Sequence, residues 1–211
     1  MSNHLLWQRL GAASGIVYVV LLIGGNSIGG PDIQIVFFME ILAFLFFLFF
    51  LGNLWSALRR AEGGSGWLSA TAFGAGLMSV TIKVASAAPV LAARWAGDGL
   101  DPQLARTLQD INNASFYLSF FPLAVLLAAF AIVAIRFGAP LPRWLGWISA
   151  VVAVALLVDG MAGTLYPRDF GPSFLLFLLW TLAASIVLMR RAGVSHSPVS
   201  DAAATPPTVA S

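Results

Sequence analysis

The sequence has no cysteine and a single lysine among its 211 residues. Without cysteine there are no disulfides, no thiolate metal site and no thiol redox chemistry. Charge is scarce, with 9% of residues charged against 59% hydrophobic, whereas soluble domains carry roughly 25% charged residues. Histidine is scarce as well. His4 and His196 both lie outside the apolar stretches, which removes the usual ligands for membrane haem or zinc and the usual base for a serine nucleophile. A formal charge of +2 with no basic patch argues against a nucleic-acid partner. There is no HExxH, no GxSxG with an embedded histidine and no P-loop, the patterns that place catalytic groups. The sequence therefore predicts a non-enzyme, with no catalytic residue, no cofactor and no metal.

What the chain has instead is apolar length. A spanning helix needs about 20 mostly apolar residues, and six stretches qualify, at roughly 11–30, 35–57, 67–93, 114–135, 144–166 and 172–190. The fold class predicted is all-α, a polytopic integral membrane protein built as a six-helix bundle, with the lipid bilayer as its first partner. Most tryptophans fall near the ends of these stretches, as interfacial aromatics should; Trp180 is the exception, well inside the last one. The run Gly15 to Ile28 lacks a small-x-small cleavage site followed by a polar start, so the first stretch is read as a retained span rather than a signal peptide.

Orientation follows from the basic residues of the connections. Arg9, Arg59, Arg60, Arg136, Arg143, Arg190 and Arg191 fall on one side, and Arg94, Arg106 and Arg168 on the other. Seven against three places both termini in the cytoplasm. In the third connection, Asp101-Pro102 has the form of an N-cap with proline at the first helical position. Leu104, Leu108 and Ile111 then recur with helical period, so an outer-surface helix is expected over about 102–112, either ending there or running into the fourth span, with Asn112 and Asn113 marking the junction. Residues 193–211, rich in Pro, Ser and Ala without apolar periodicity, read as a disordered cytoplasmic tail.

Three ionisable groups are embedded in the spans: Glu40, Lys83 and Asp159. A lysine at the centre of a spanning helix costs about 2.5–3.5 kcal/mol on insertion scales, a cost best tolerated where the ammonium has a partner, a wet cavity or a task. Depth relates the three. Lys83 lies 16 residues after Trp67 on a span running outward, and Asp159 lies 15 after Trp144 on another, about 24 and 22 Å along their helices. Glu40 starts an inward span, five residues after Ile35, about 8 Å below its outer end. All three reach the outer third of a core about 30 Å thick. Ala72, Gly76, Ser79 and Ser86 share a helix face with Lys83, and Ala155, Ala162, Gly163 and Tyr166 share one with Asp159; small residues on such faces admit close neighbours. Asn26, Tyr117 and Thr164 add polar groups at similar depth. Pro89 and Pro122 each free a backbone carbonyl inside a span.

The amino-terminal run QRLGAASGIVYVVLLIGG, with the six-segment plan and the polar tail, resembles small polytopic membrane proteins of actinobacteria whose function is uncharacterised. The resemblance lies in the hydropathy profile and implies a bacterial cytoplasmic (inner) membrane, but no activity and no site residue.

Two readings of the embedded charges compete. In the first, Glu40, Lys83, Asp159, Asn26, Tyr117 and Tyr166 line an outer-leaflet pocket that binds or passes a small solute, ion or proton. In the second, Lys83 bridges Glu40 or Asp159 as a helix clamp in a structural or regulatory subunit, whose activity comes from a membrane-protein partner or a homo-oligomer. An embedded enzyme is a third reading.

Overall fold

The computed structural model describes residues 3–27, 33–138, 141–166 and 171–192. Within them seven α-helices follow one another: α1 (Asn3–Ser27), α2 (Ile33–Glu62), α3 (Trp67–Ala96), α4 (Pro102–Leu118), α5 (Phe120–Arg136), α6 (Arg143–Leu165) and α7 (Pro172–Ala192). Among the described residues there is no strand. Counting Pro102–Arg136 as one, six segments of the described chain are long and apolar enough to cross a membrane. The surfaces agree: Phe38 (67% exposed), Phe49 (69%), Val151 (67%) and Leu179 (62%) stand outward, where water would penalise them and lipid does not. The protein is an all-α, multi-pass membrane bundle. Residues 193–211, expected as a disordered tail, lie outside the described residues.

Local chemistry sets the helix ends. The Asp101 carboxylate accepts from Gln103 N at 2.9 Å and Leu104 N at 3.1 Å, and Pro102 opens α4 behind that cap. Glu62, the last residue of α2, reaches across the connection and accepts from Leu68 N at 3.0 Å and Ser69 N at 2.8 Å, so a carboxylate closes the amino end of α3. That connection requires glycine: Gly63, Gly64 and Gly66 have φ of +63, +46 and +67°, conformations costly for any residue with a Cβ. At Gly66 a Cβ would also run into the Arg59 guanidinium.

The helix of the third connection runs on into the fourth span. The helix beginning at Pro102 does not end near Asn112 but runs to Leu118, and the chain breaks at Ser119 before α5 starts. Pro122 supplies the reason. It has no N–H for the carbonyl four residues earlier, that of Leu118; backbone bonds from Ser119 N to Ser115 O (3.0 Å) and from Leu123 N to Ser119 O (3.3 Å) flank the gap, and side chains add to them. Ser119 Oγ donates to Phe116 O at 2.6 Å, and Ser79 Oγ on α3 donates to Ser119 O at 3.2 Å.

The helices form a closed circuit in which α1 packs on α2, α2 on α3, α3 on α5, α5 on α6, α6 on α7 and α7 back on α1. α5 also touches α2 across the middle and belongs to the most enclosed span. Small residues let the neighbours approach. A Cβ on Gly11 would meet Asn53 of α2 at 2.9 Å, one on Gly15 would meet Phe50 at 2.6 Å, and one on Gly76 would meet Leu51 and Leu126 at 2.6 and 2.8 Å. Gly11 and Gly15, one helical turn apart, thus pack against other helices of the same chain. Aromatic rings fill the interior. Trp180, placed away from any interface by its sequence position, is 2% exposed. It stacks on Phe177, meets Phe130 edge-on at 5.1 Å and donates through Nε1 to Ser149 Oγ at 2.6 Å, so its one polar side-chain atom is satisfied inside the bundle.

Candidate functional site

Alternation of the spans puts the connections α1–α2, α3–α4 and α6–α7 at one end of the bundle, here the odd-loop end. A cavity of about 530 Å³ opens there among α1, α2, α3, α4 and α7, with Leu123 of α5 in its floor. Of the six candidate residues, Asn26, Glu40, Lys83 and Tyr117 line it, joined by Tyr18, Ser79, Asn112 and Asn113.

α3 and α4 are fastened together beside it. The Ser86 hydroxyl lies 2.8 Å from Lys83 O and 3.1 Å from Asn112 Oδ1, and Ser79 Oγ bonds Ser119 O two turns deeper. Ala72, Gly76, Ser79 and Ser86, the small residues on the Lys83 face, are all buried, so that face of α3 points into the bundle and aims Lys83 at the cavity. The ammonium lies over the Phe116 ring, 5.3 Å from its centroid, a contact worth about 0.5–2 kcal/mol. Glu40 is close enough to act electrostatically on both Lys83 and Tyr18. Among the described residues, however, Lys83 and Glu40 form no direct ion pair, and no side chain donates a hydrogen bond to the Glu40 carboxylate. Two opposite charges share one cavity without closing on each other.

Asp159 and Tyr166 stand apart from this group. Asp159 is 8% exposed and accepts from Ser173 N at 3.0 Å and Ser173 Oγ at 2.7 Å. It therefore caps the amino end of α7 from a neighbouring helix, where the free N–H groups and the helix dipole favour a carboxylate. Its counterpart is a helix terminus and not Lys83. Tyr166 follows α6, is 66% exposed and does not line the cavity. Gly163, on the Asp159 face, packs against the ring of Tyr117 and so supports one wall of the cavity. Thr164 is exposed and bonds back to Met161 O.

Along its depth the cavity changes character. Toward the odd-loop end are Asn26 and Ser27 at the last turn of α1, Glu40 near the start of α2, and Asn112 and Asn113. Deeper lie Phe44, Phe47, Val80, Leu123 and Leu178, with the Tyr18 ring among them. Tyr18 meets Phe47 at 4.7 Å, and Phe116 and Phe174, 5.2 Å apart, form a second aromatic wall backed by Phe120. Sequence reasoning missed Tyr18, Asn112 and Asn113. The only signal for Tyr18 is a lone phenol in an apolar span, and the two asparagines look like a helix boundary. Another groove, between Phe37 and Phe38 of α2 and Val90, Leu91 and Arg94 of α3, offers one cation over an apolar bed. Among the described residues no group of three His, Asp or Glu side chains is placed to hold a metal ion.

Fold and cavity define a class: a small multi-pass helical membrane protein with an amphipathic chamber sunk into one end. No family model matches the chain, and neither the curated proteins nor the solved structures contain a significant match to it.

Proposed function

We propose that the protein is a non-enzymatic component of a bacterial cytoplasmic membrane whose odd-loop cavity, open at the outer face, binds or passes a small polar solute or ion. The observation that carries this reading is the meeting of Lys83 and Glu40 on the walls of one chamber without a direct contact between them. A structural clamp needs the charges paired and hydrogen-bonded, because separated charges in a poorly solvated setting are a net cost. The clamp reading fits Asp159 and Ser173 better than it fits Lys83. Seven basic residues against three support placing both termini in the cytoplasm, and hence the cavity mouth outside.

The test is thermal denaturation of the purified protein in detergent against a library of ions and small metabolites. A ligand that binds only the folded state raises the melting temperature with its concentration, adding about 2.7 kcal/mol of stability at a hundred times its Kd. At least one solute is expected to do so, and to lose the effect in Lys83→Met. A library without a single stabilising solute would defeat the reading.

A further inference from the structure

Resting on the binding reading above, we propose that the cavity takes an apolar zwitterion: a ligand with one ammonium, one carboxylate or phosphate a few bonds away, and an apolar group. Lys83 supplies a cation and Glu40 an anion in the same chamber, and neither is neutralised by the other through direct contact. A purely anionic ligand would pair with Lys83 and face Glu40 across the cavity; a purely cationic one would do the reverse. Either leaves one like-charge encounter in a setting of low dielectric, where such encounters weigh heavily. A zwitterion satisfies both walls in one event and brings no net charge into the bilayer.

The depth profile orients it. Asn26, Asn112 and Asn113 sit with Glu40 toward the mouth, Lys83 lies beside Phe116 about one turn below the Ser86–Asn112 contact, and Phe44, Phe47 and Leu178 line the floor. The charged head group therefore lies toward the odd-loop end and the apolar group points into the bundle against the aromatic walls. A volume of about 530 Å³ falls within the range of small-molecule sites, about 300–1,000 Å³. The same chemistry is offered by a free amino acid with an apolar side chain and by the head group and first carbons of a phosphatidylethanolamine.

The experiment uses full-length protein in non-ionic detergent and reads melting temperature against L-phenylalanine, L-leucine and a short-chain phosphatidylethanolamine. Phenethylamine, 3-phenylpropionate and glycine are the controls, each lacking one of the three features. At least one of the three zwitterions is expected to bind roughly tenfold more tightly than any control. Stabilisation by amino acids alone identifies a free solute, and by the lipid alone a membrane-derived one; both support the proposal. Glu40→Gln is expected to shift preference to 3-phenylpropionate, and Lys83→Gln to phenethylamine. Should either variant fail to fold, the ligand series on the unaltered chain still decides. If phenethylamine or 3-phenylpropionate binds the unaltered protein as well as the zwitterions do, or if only unrelated solutes from the wider library stabilise it, the zwitterion proposal is overturned while the binding site stands. If nothing stabilises it, both fall.

Discussion

At the scale of single residues, three embedded charges resolve into two arrangements. Asp159 is spoken for by the Ser173 amide and hydroxyl, and Lys83 shares its chamber with Glu40. Lys83→Met is therefore expected to destabilise the protein, and adding Glu40→Gln to recover part of that loss, with a coupling of roughly 0.5–3 kcal/mol. Adding Asp159→Asn instead should give additive losses, because that carboxylate caps α7 and does not face Lys83. Denaturation of the two cycles checks this, and a larger coupling to Asp159 would contradict the geometry. Depth along a helix is legible in sequence, because rise per residue is fixed, and that is why residue spacing alone groups Asn26, Glu40, Lys83 and Tyr117. Azimuth between helices is not. Asp159 has the right depth but lies on a helix whose neighbour offers a free amino terminus, and that neighbour's position is a product of tertiary packing.

At the scale of elements, the spans are legible because some twenty consecutive apolar residues have few alternatives to a membrane helix. The subdivision of the fourth span is harder to read. Asn112-Asn113 is the more polar place, yet hydrogen bonds in a helix fail where a proline removes a donor, and Pro122 moves the break to Ser119. Close packing of α3 carries its own prediction. Gly76 abuts Leu51 and Leu126, whereas Gly74 has nothing within 4 Å of a Cβ. Gly76→Leu is expected to cost about 1–3 kcal/mol through overpacking, while Gly74→Leu leaves the melting temperature close to that of the unaltered chain. Equal melting temperatures for the two α3 variants would mean that the Gly76 face is not against α2 and α5.

At the scale of the whole molecule, the alternating spans place Glu62, Gly63, Gly64 and Gly66 at one end and the Asp101 cap at the other. The basic residues favour the first end for the cytoplasm. Ser65→Cys and Gln103→Cys, both at exposed positions and the second sparing the Asp101 cap, separate the two faces. In intact cells an impermeant thiol reagent is expected to label position 103 and leave 65 untouched until the membrane is opened. The opposite pattern would invert the orientation and turn the cavity mouth to the cytoplasm. The absence of native cysteine makes each label unambiguous.

The burial of Trp180 also gives the molecule two optical populations. Trp7, Trp55, Trp67, Trp95, Trp144 and Trp147 are exposed and so open to quenchers that reach the outside of the bundle. Trp180 is shielded from them, with its indole N–H held by Ser149. Its ring stack runs through Phe177 to Phe174, which lines the cavity. The emission that survives quenchers supplied on both the lipid and the water side is therefore expected from a single chromophore, two rings removed from the chamber where a ligand would sit.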